Sequence, residues 1–370
     1  MWLWGNATIE AWEFDSDHAT TPGSQIVTGY TTANALRKGV TAVHKLEVGP
    51  NKLIGALARS GATLSSSAVC GFWRAMGATG RFQEACERQG HALHATPDIT
   101  LTLRDSSRTA LAGDLGQAIT WLLAIDHFKN NAVVDFGRGC QIISKSCPVP
   151  GSSNTRPDFM ASAAAAPWGC VSLFESKGTI TKKIKNSGWC TDIKNGLAQT
   201  LAGEMWLSNN GHKGIVSKKL SVAFALAEEE PSKIVFADPE EQVHQPLTRD
   251  TQIALIRNHF GAWASAGGAL ELAEAMYTGV TGTELLRLID DLPTIMFRDR
   301  RMKVALPGIA MRFHPCFPGF HAADEVILRD LSEENLDGLA SSVESFRNLM
   351  MRTKDQYQTL FADGTALFLT

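Results

Sequence analysis

Between residues 109 and 129 the apolar positions Ala112, Leu115, Ile119, Leu122, Leu123 and Phe128 recur at helical spacing. That spacing predicts an amphipathic helix, which Asn130-Asn131 would stop. Residues 132–136 then read as a strand, and Gly151-Ser152-Ser153-Asn154 as a loop. A short strand is expected around residues 158–160, and Pro167-Trp168-Gly169 turns the chain. Residues 170–177 form a clear strand pattern that Gly178 would end, followed by a helix over 192–207 and an apolar strand over 220–226. The predicted order in this central stretch is helix, three strands, helix, strand.

The flanks read differently. Before residue 109, residues 41–46 suggest a strand, 98–103 alternate polar and apolar like a half-buried strand, and 72–89 look helical. After residue 240 the pattern is mostly helical. Asp250 is a candidate cap for a helix reaching about residue 276, and a last long helix follows Ser332. In that helix Leu336, Leu339, Val343, Phe346, Met350 and Tyr357 form one apolar seam. The seam reads as packing within its own domain, with a homodimer or a protein partner through these C-terminal helices as the alternative. Three regions follow: an α+β N-terminal region over 1–108, an α/β core over 109–240 and a mostly α-helical region over 241–370. The core is expected to be a mixed sheet flanked by helices.

Composition narrows the class. The chain has 370 residues, 44% of them hydrophobic and 20% charged, enough to bury a full core. Its formal net charge of -3 gives no global attraction to nucleic acid, so any hold on phosphate must be local. No apolar run is long enough to cross a membrane, and the start, Met1-Trp2-Leu3-Trp4 with Glu10, Glu13 and Asp15 close behind, lacks a secretion signal. The seven cysteines, Cys70, Cys86, Cys140, Cys147, Cys170, Cys190 and Cys316, are scattered and include no CxxC. Reduced thiols and a cytoplasmic location are the expectation.

Chemistry concentrates in one place. Thr155-Arg156-Pro157-Asp158-Phe159 is followed by Leu173-Phe174-Glu175-Ser176-Lys177-Gly178. In a strand Glu175 and Lys177 share a face, and an antiparallel neighbour would set Asp158 beside Glu175. Two carboxylates so placed repel each other unless a cation joins them, and oxygen donors suit Mg²⁺ or Mn²⁺. The Ser176 carbonyl is a further candidate ligand. A bound ion would acidify a water and polarise a phosphate oxygen, with Lys177 serving the attacking water or the developing charge. The lysines Lys177, Lys182, Lys183, Lys185 and Lys194 make a local positive spot for a nucleic-acid backbone. Trp189 and Trp168 read as core residues before base-stacking ones.

These residues resemble the PD-(D/E)XK nuclease superfamily, the restriction-endonuclease-like fold. Pro157-Asp158 resembles its first motif, Glu175-Ser176-Lys177 its second, and the order of elements over about residues 110–228 is similar to its core. The resemblance implies Asp158 and Glu175 as metal ligands, Lys177 as the residue assisting the nucleophilic water, and Gln199 on the following helix as a supporting polar group. It implies a nucleic-acid substrate, DNA foremost, in defence, restriction or repair. The chain departs from the family where a glutamate often stands on the first core helix. Here Gly116-Gln117-Ala118 occupies the place, which makes Gln117 a second candidate supporting residue, with Asp114 the nearest acid.

Other signals fall short. Asp192-Ile193-Lys194 sits in a helix pattern, and Pro97-Asp98 has no Glu-x-Lys at the required interval. His91 with His94, and His314, Cys316 and His321, do not supply a four-ligand zinc set. There is no Gly-x-Ser-x-Gly, no Gly-x-Gly-x-x-Gly and no Walker loop, and no helix is expected after the strand that Gly137-Arg138-Gly139 follows. The competing reading is a catalytically inactive nucleic-acid-binding or scaffold protein that keeps the nuclease fold.

Overall fold

A computed structural model describes residues 5–14, 40–144, 156–163, 169–237, 245–306, 319–353 and 360–368. Among these residues the fold is α/β, built on a nine-stranded mixed sheet with helices on both faces and a largely helical C-terminal region.

The strands, in chain order, are β1 (Ala7–Phe14), β2 (Val40–Val48), β3 (Cys86–Gln89), β4 (Ala92–Ala95), β5 (Asn130–Asp135), β6 (Phe159–Ala163), β7 (Val171–Thr181), β8 (Val216–Ala227) and β9 (Lys233–Ala237). They run side by side as β3-β4-β1-β9-β8-β7-β6-β5, with β2 also paired to β1. β5, β6 and β7 form an antiparallel meander, and β8 lies parallel to β7. A strand and its parallel neighbour need a crossover, which the helix Asn186–Asn209 provides. The element order expected for the core is therefore present, with one addition: the helix Phe136–Ile143 stands directly after β5. Gly137-Arg138-Gly139 lies inside that helix, where none was expected, because Asp135 caps it by accepting from the Arg138 N–H at 2.8 Å.

Strands β1 to β4 all come from the N-terminal 108 residues, and β1 pairs in parallel with β9. One sheet thus crosses the boundary expected near residue 108. Residues 98–103 are not a strand. Asp98 adopts a left-handed φ of 60° and turns the chain into the helical turn Ile99–Thr102, leaving Ile99 buried and Leu101 80% exposed. The stretch 72–89 divides into the helices Ala68–Met76 and Ala78–Ala85, followed by β3.

Phe159, Phe174, Phe224 and Phe236 pack one face of the sheet against Leu115, Ile119 and Leu122 of the helix Asp105–Leu122. Gly178 does not end β7, which runs on to Thr181. It marks instead the closest approach of that helix: a Cβ at Gly178 would collide with the Ala112 carbonyl oxygen, and one at Gly116 would lie 2.8 Å from the Gly178 nitrogen. The opposite face carries Met160, Val171 and Leu173 with Leu207, and Ala223 and Ala225 with Trp189 and Ile193, all under the helix Asn186–Asn209.

In the C-terminal region Thr248, not Asp250, caps the helix Arg249–Gly267, and Gly268 at φ 86° breaks it from the helix Leu270–Thr278. The helices Gly282–Asp290, Glu325–Ser332 and Leu336–Thr353 complete the set. Leu336, Leu339, Val343 and Phe346 are buried in the chain's own core and Met350 packs, partly buried, against it; Tyr357 lies outside the described residues. Four short strands, β10 (Thr294–Phe297), β11 (Arg300–Ala305), β12 (Phe320–Asp324) and β13 (Thr365–Phe368), add an antiparallel sheet that the helical expectation did not include.

A buried polar cluster joins the regions. Arg59 donates to Asp363 Oδ2 at 3.2 Å and to Thr365 Oγ1 at 2.9 Å, and His259 Nε2 lies 2.7 Å from Asp363 Oδ2. The other ring nitrogen of His259 lies 3.2 Å from the Val133 N–H of β5. Burial, with the Arg59 charge added, lowers the His259 pKa against the pull of Asp363. Desolvation opposes charge on Asp363, but Arg59 and His259 outweigh it and hold its carboxyl below the usual range.

Two stability measurements test this packing. Gly178→Ala should lower stability in urea by about 2 kcal/mol, while Gly80→Ala, with open space around it, should not. Asp363→Ala leaves a buried guanidinium without its partner and should cost about 3–5 kcal/mol. Equal effects at Gly178 and Gly80, or a silent Asp363 substitution, would contradict the packing described.

Candidate active site

The meander places the motif residues together. Phe159 pairs with Phe174 across β6 and β7, so the next position sets Asp158 opposite Glu175. The pairing is fixed in both directions. The Asp158 N–H donates to Glu175 Oε2 at 3.1 Å, and the Ser176 N–H donates to Asp158 Oδ2 at 3.1 Å. The Ser176 hydroxyl also donates to Asp158 Oδ2. Ser176, expected to offer its carbonyl to a metal, is seen here through its donors, which hold one oxygen of Asp158.

Lys177 shares the Glu175 face of β7. Its Nζ lies 2.5 Å from Glu175 Oε1 and 2.7 Å from Gln199 Oε1. Gln199 therefore does stand at the site, carried there by the helix Asn186–Asn209. That helix approaches closely because Gly196 lies against Ser221 and Glu175, and Gly203 against Pro157 and Phe136. Gln117 is not brought in. Its helix packs on the Gly178 side of β7, which alternation makes the face opposite to Glu175, and it has no hydrogen bond to either carboxylate.

Electrostatics follow from burial. Glu175 is 3% exposed, and desolvation, with the Asp158 charge added, pushes its pKa up to about 8 against the pull of Lys177. Desolvation also raises Asp158, with Asp135 adding to the rise and the Ser176 donors opposing it. Asp135, at the end of β5, is raised by burial too, while the Arg138 N–H and the Arg156 charge counter the shift. Asp192, raised by burial and opposed by Lys177, stands on the helix above the lysine. Asp135, Arg156 and Asp192 are site neighbours that the motif did not single out. Asp135 was findable: an antiparallel β5–β6 pair puts it opposite Phe159, one residue from Asp158.

The lysine spot is less concentrated than its sequence. Lys182 and Lys183 each pair with Glu229 at 3.1 Å. Lys185 is exposed at the rim of a 210 Å³ cavity that Trp189 and Asp192 also line, and Lys194 is exposed on its helix. Trp189 is a core residue, 5% exposed against Phe14 and Ile193; Trp168 lies outside the described residues.

The donor set fits a hard cation in kind: two adjacent carboxylates, each held away from its charged form by burial, the glutamate also by its neighbour's charge. It is sparse in number. Among the described residues no group of three or more His, Cys, Asp and Glu could hold a metal ion. Such a pair suits Mg²⁺ or Mn²⁺, which keep water and substrate oxygens in their shell. No protein-family model, curated protein or solved structure matches the chain. Among the described residues no helix is long and apolar enough to cross a membrane.

Glu175 holds its proton more tightly in the folded chain than in the unfolded one. Its contribution therefore favours folding fully below the ordinary value of 4.5 and is lost as pH rises through about 8. Glu175→Gln removes this dependence. The melting temperature of the variant relative to the unsubstituted chain should climb between about pH 5 and about pH 9. A flat or falling difference in a pH series of thermal melts would show that Glu175 is not held in this way.

Proposed function

We propose that the chain is a metal-dependent nuclease of the restriction-endonuclease-like, PD-(D/E)XK kind, hydrolysing phosphodiester bonds of nucleic acid, with DNA as the foremost substrate. The observation that carries this reading is the β6–β7 register, which sets Asp158 beside Glu175 with Lys177 on the same face at 2.5 Å. The order of core elements agrees with it. Asp158 and Glu175 would hold Mg²⁺ or Mn²⁺, whose chemistry is to acidify a bound water and polarise a phosphate oxygen. Ser176 orients Asp158 through two donors. Lys177, steadied by Gln199, presents an ammonium to the attacking oxygen or to the charge that builds on the phosphate. The small acid count at the site favours one alternative, a nucleic-acid-binding or scaffold protein that keeps this fold without cleaving.

Supercoiled plasmid with Mn²⁺ separates the two. The unsubstituted chain should nick or degrade it, and Asp158→Ala and Lys177→Ala should each slow this by at least about 100-fold. Binding without cleavage, unaltered by either substitution, would select the scaffold. Occupancy has its own readout. Mn²⁺ should raise the melting temperature of the unsubstituted chain and not of Asp158→Ala. That rise should grow with pH up to about 8, since the cation must displace the Glu175 proton. A shift shared by Asp158→Ala would place the ion elsewhere.

A further inference from the structure

A cavity of about 490 Å³ opens beside the acidic pair, walled by all three regions of the chain. Ser66 and its neighbours come from the N-terminal region, Asp135 and Arg138 from β5 and the helix after it, and Tyr277 and Thr278 from the C-terminal helices. It meets the candidate site along one edge. Asp135 and Arg156 line it, Arg156 is two residues before Asp158, and the Phe136 N–H donates to the Asp158 carbonyl at 3.0 Å. Its size falls within the range of pockets that enclose small ligands, about 300–1,000 Å³.

We propose that this cavity receives one nucleotide of the strand being cleaved, next to the phosphate that the Asp158–Glu175 pair attacks. The choice of ligand rests on the phosphodiesterase reading; the existence of a built pocket does not. Arg138 is held for the task. Its Nε donates to Asn258 Oδ1 at 2.9 Å, one terminal nitrogen donates to the Tyr277 carbonyl at 2.8 Å, and the guanidinium lies 5.4 Å from the Tyr277 ring centre. A guanidinium fixed in this way, with Arg156 also lining the cavity, is a phosphate receptor that loses little freedom on binding. The two arginines are balanced by Asp135 and Glu274, carboxylates able to accept from a sugar hydroxyl or a base amino group. Ser66 and Thr278 add hydroxyls at the mouth, and Thr63 in the wall keeps a buried hydroxyl without a hydrogen-bond partner. A cavity for a bare anion would not need the two acids, and one for an apolar ligand would not carry four ionisable side chains.

Calorimetric titration of the full chain with the deoxynucleoside 5′-monophosphates tests the assignment, with inorganic phosphate and the nucleosides alongside. Saturable nucleotide binding is expected, weakened by at least about tenfold when either half of the ligand is omitted. Ser66→Trp and Thr278→Trp, both at exposed positions of the rim, should each weaken nucleotide binding by about tenfold or more and slow cleavage of short oligonucleotides. Asp158→Asn, outside the cavity, should bind nucleotide as the unsubstituted chain does while failing to cleave. Phosphate binding as tightly as the nucleotides, or nucleotide binding indifferent to both tryptophans, would overturn the proposal. Cleavage without any nucleotide binding would remove the cavity assignment and leave the nuclease reading in place. Nucleotide binding that both tryptophans block, in a chain that never cleaves, would do the reverse.

Discussion

The register between β6 and β7 is the constraint on which the chemistry depends. A strand has a side-chain period of two, so a slip of β7 by one residue would set Ser176 or Phe174 opposite Asp158 and turn Glu175 to the other face. Apolar packing sets the register first: Phe159 and Phe174 must both meet the helix Asp105–Leu122, while Met160 and Leu173 face the other way. Polar bonds then lock it, because Asp158 donates to Glu175 through its backbone and accepts from Ser176 through its side chain. The same bonds partly satisfy two carboxylates that burial would otherwise leave without partners.

A second constraint acts at longer range. Arg59, His259 and Asp363 come from sequence positions far apart, yet they share one desolvated cluster with the backbone of β5. Because β5 carries Asp135 at its end, and the cavity beside Asp158 is walled by residues on both sides of this cluster, the cluster fixes the relation between the acidic pair and its surroundings. Breaking it is costly because the charges balance only as a set.

Much of the central stretch was legible from sequence. Helical spacing over 109–129 and the apolar run over 170–177 located the helix and the middle strand, and the alternation rule placed Lys177 with Glu175. Gln199 was found from its helix. What failed has physical reasons. Gly178 looked like a strand end, but a glycine inside a strand also lets a helix come close, and Gly116 across from it shows which use applies here. Residues 98–103 alternate like a strand, but the left-handed Asp98 turns the chain before pairing can begin. Gln117 was drawn to the site by its position in the order of elements, although strand alternation puts its helix on the other face. The C-terminal sheet was missed because its strands are four to six residues long and, beyond the β10–β11 hairpin, pair with neighbours distant in sequence.

The parallel pairing of β1 with β9 bears on how the polypeptide can be divided. The motif-bearing half looks like a self-contained cassette in sequence, but its outermost ladder is completed by residues that are synthesised first. Excising the cassette would bare a row of unpaired amides and carbonyls along β9, next to apolar Ile234 and Phe236, and such an edge recruits other chains into aggregates. Splitting or transplanting this protein therefore has to respect the sheet's hydrogen bonding and not the spacing of its motifs.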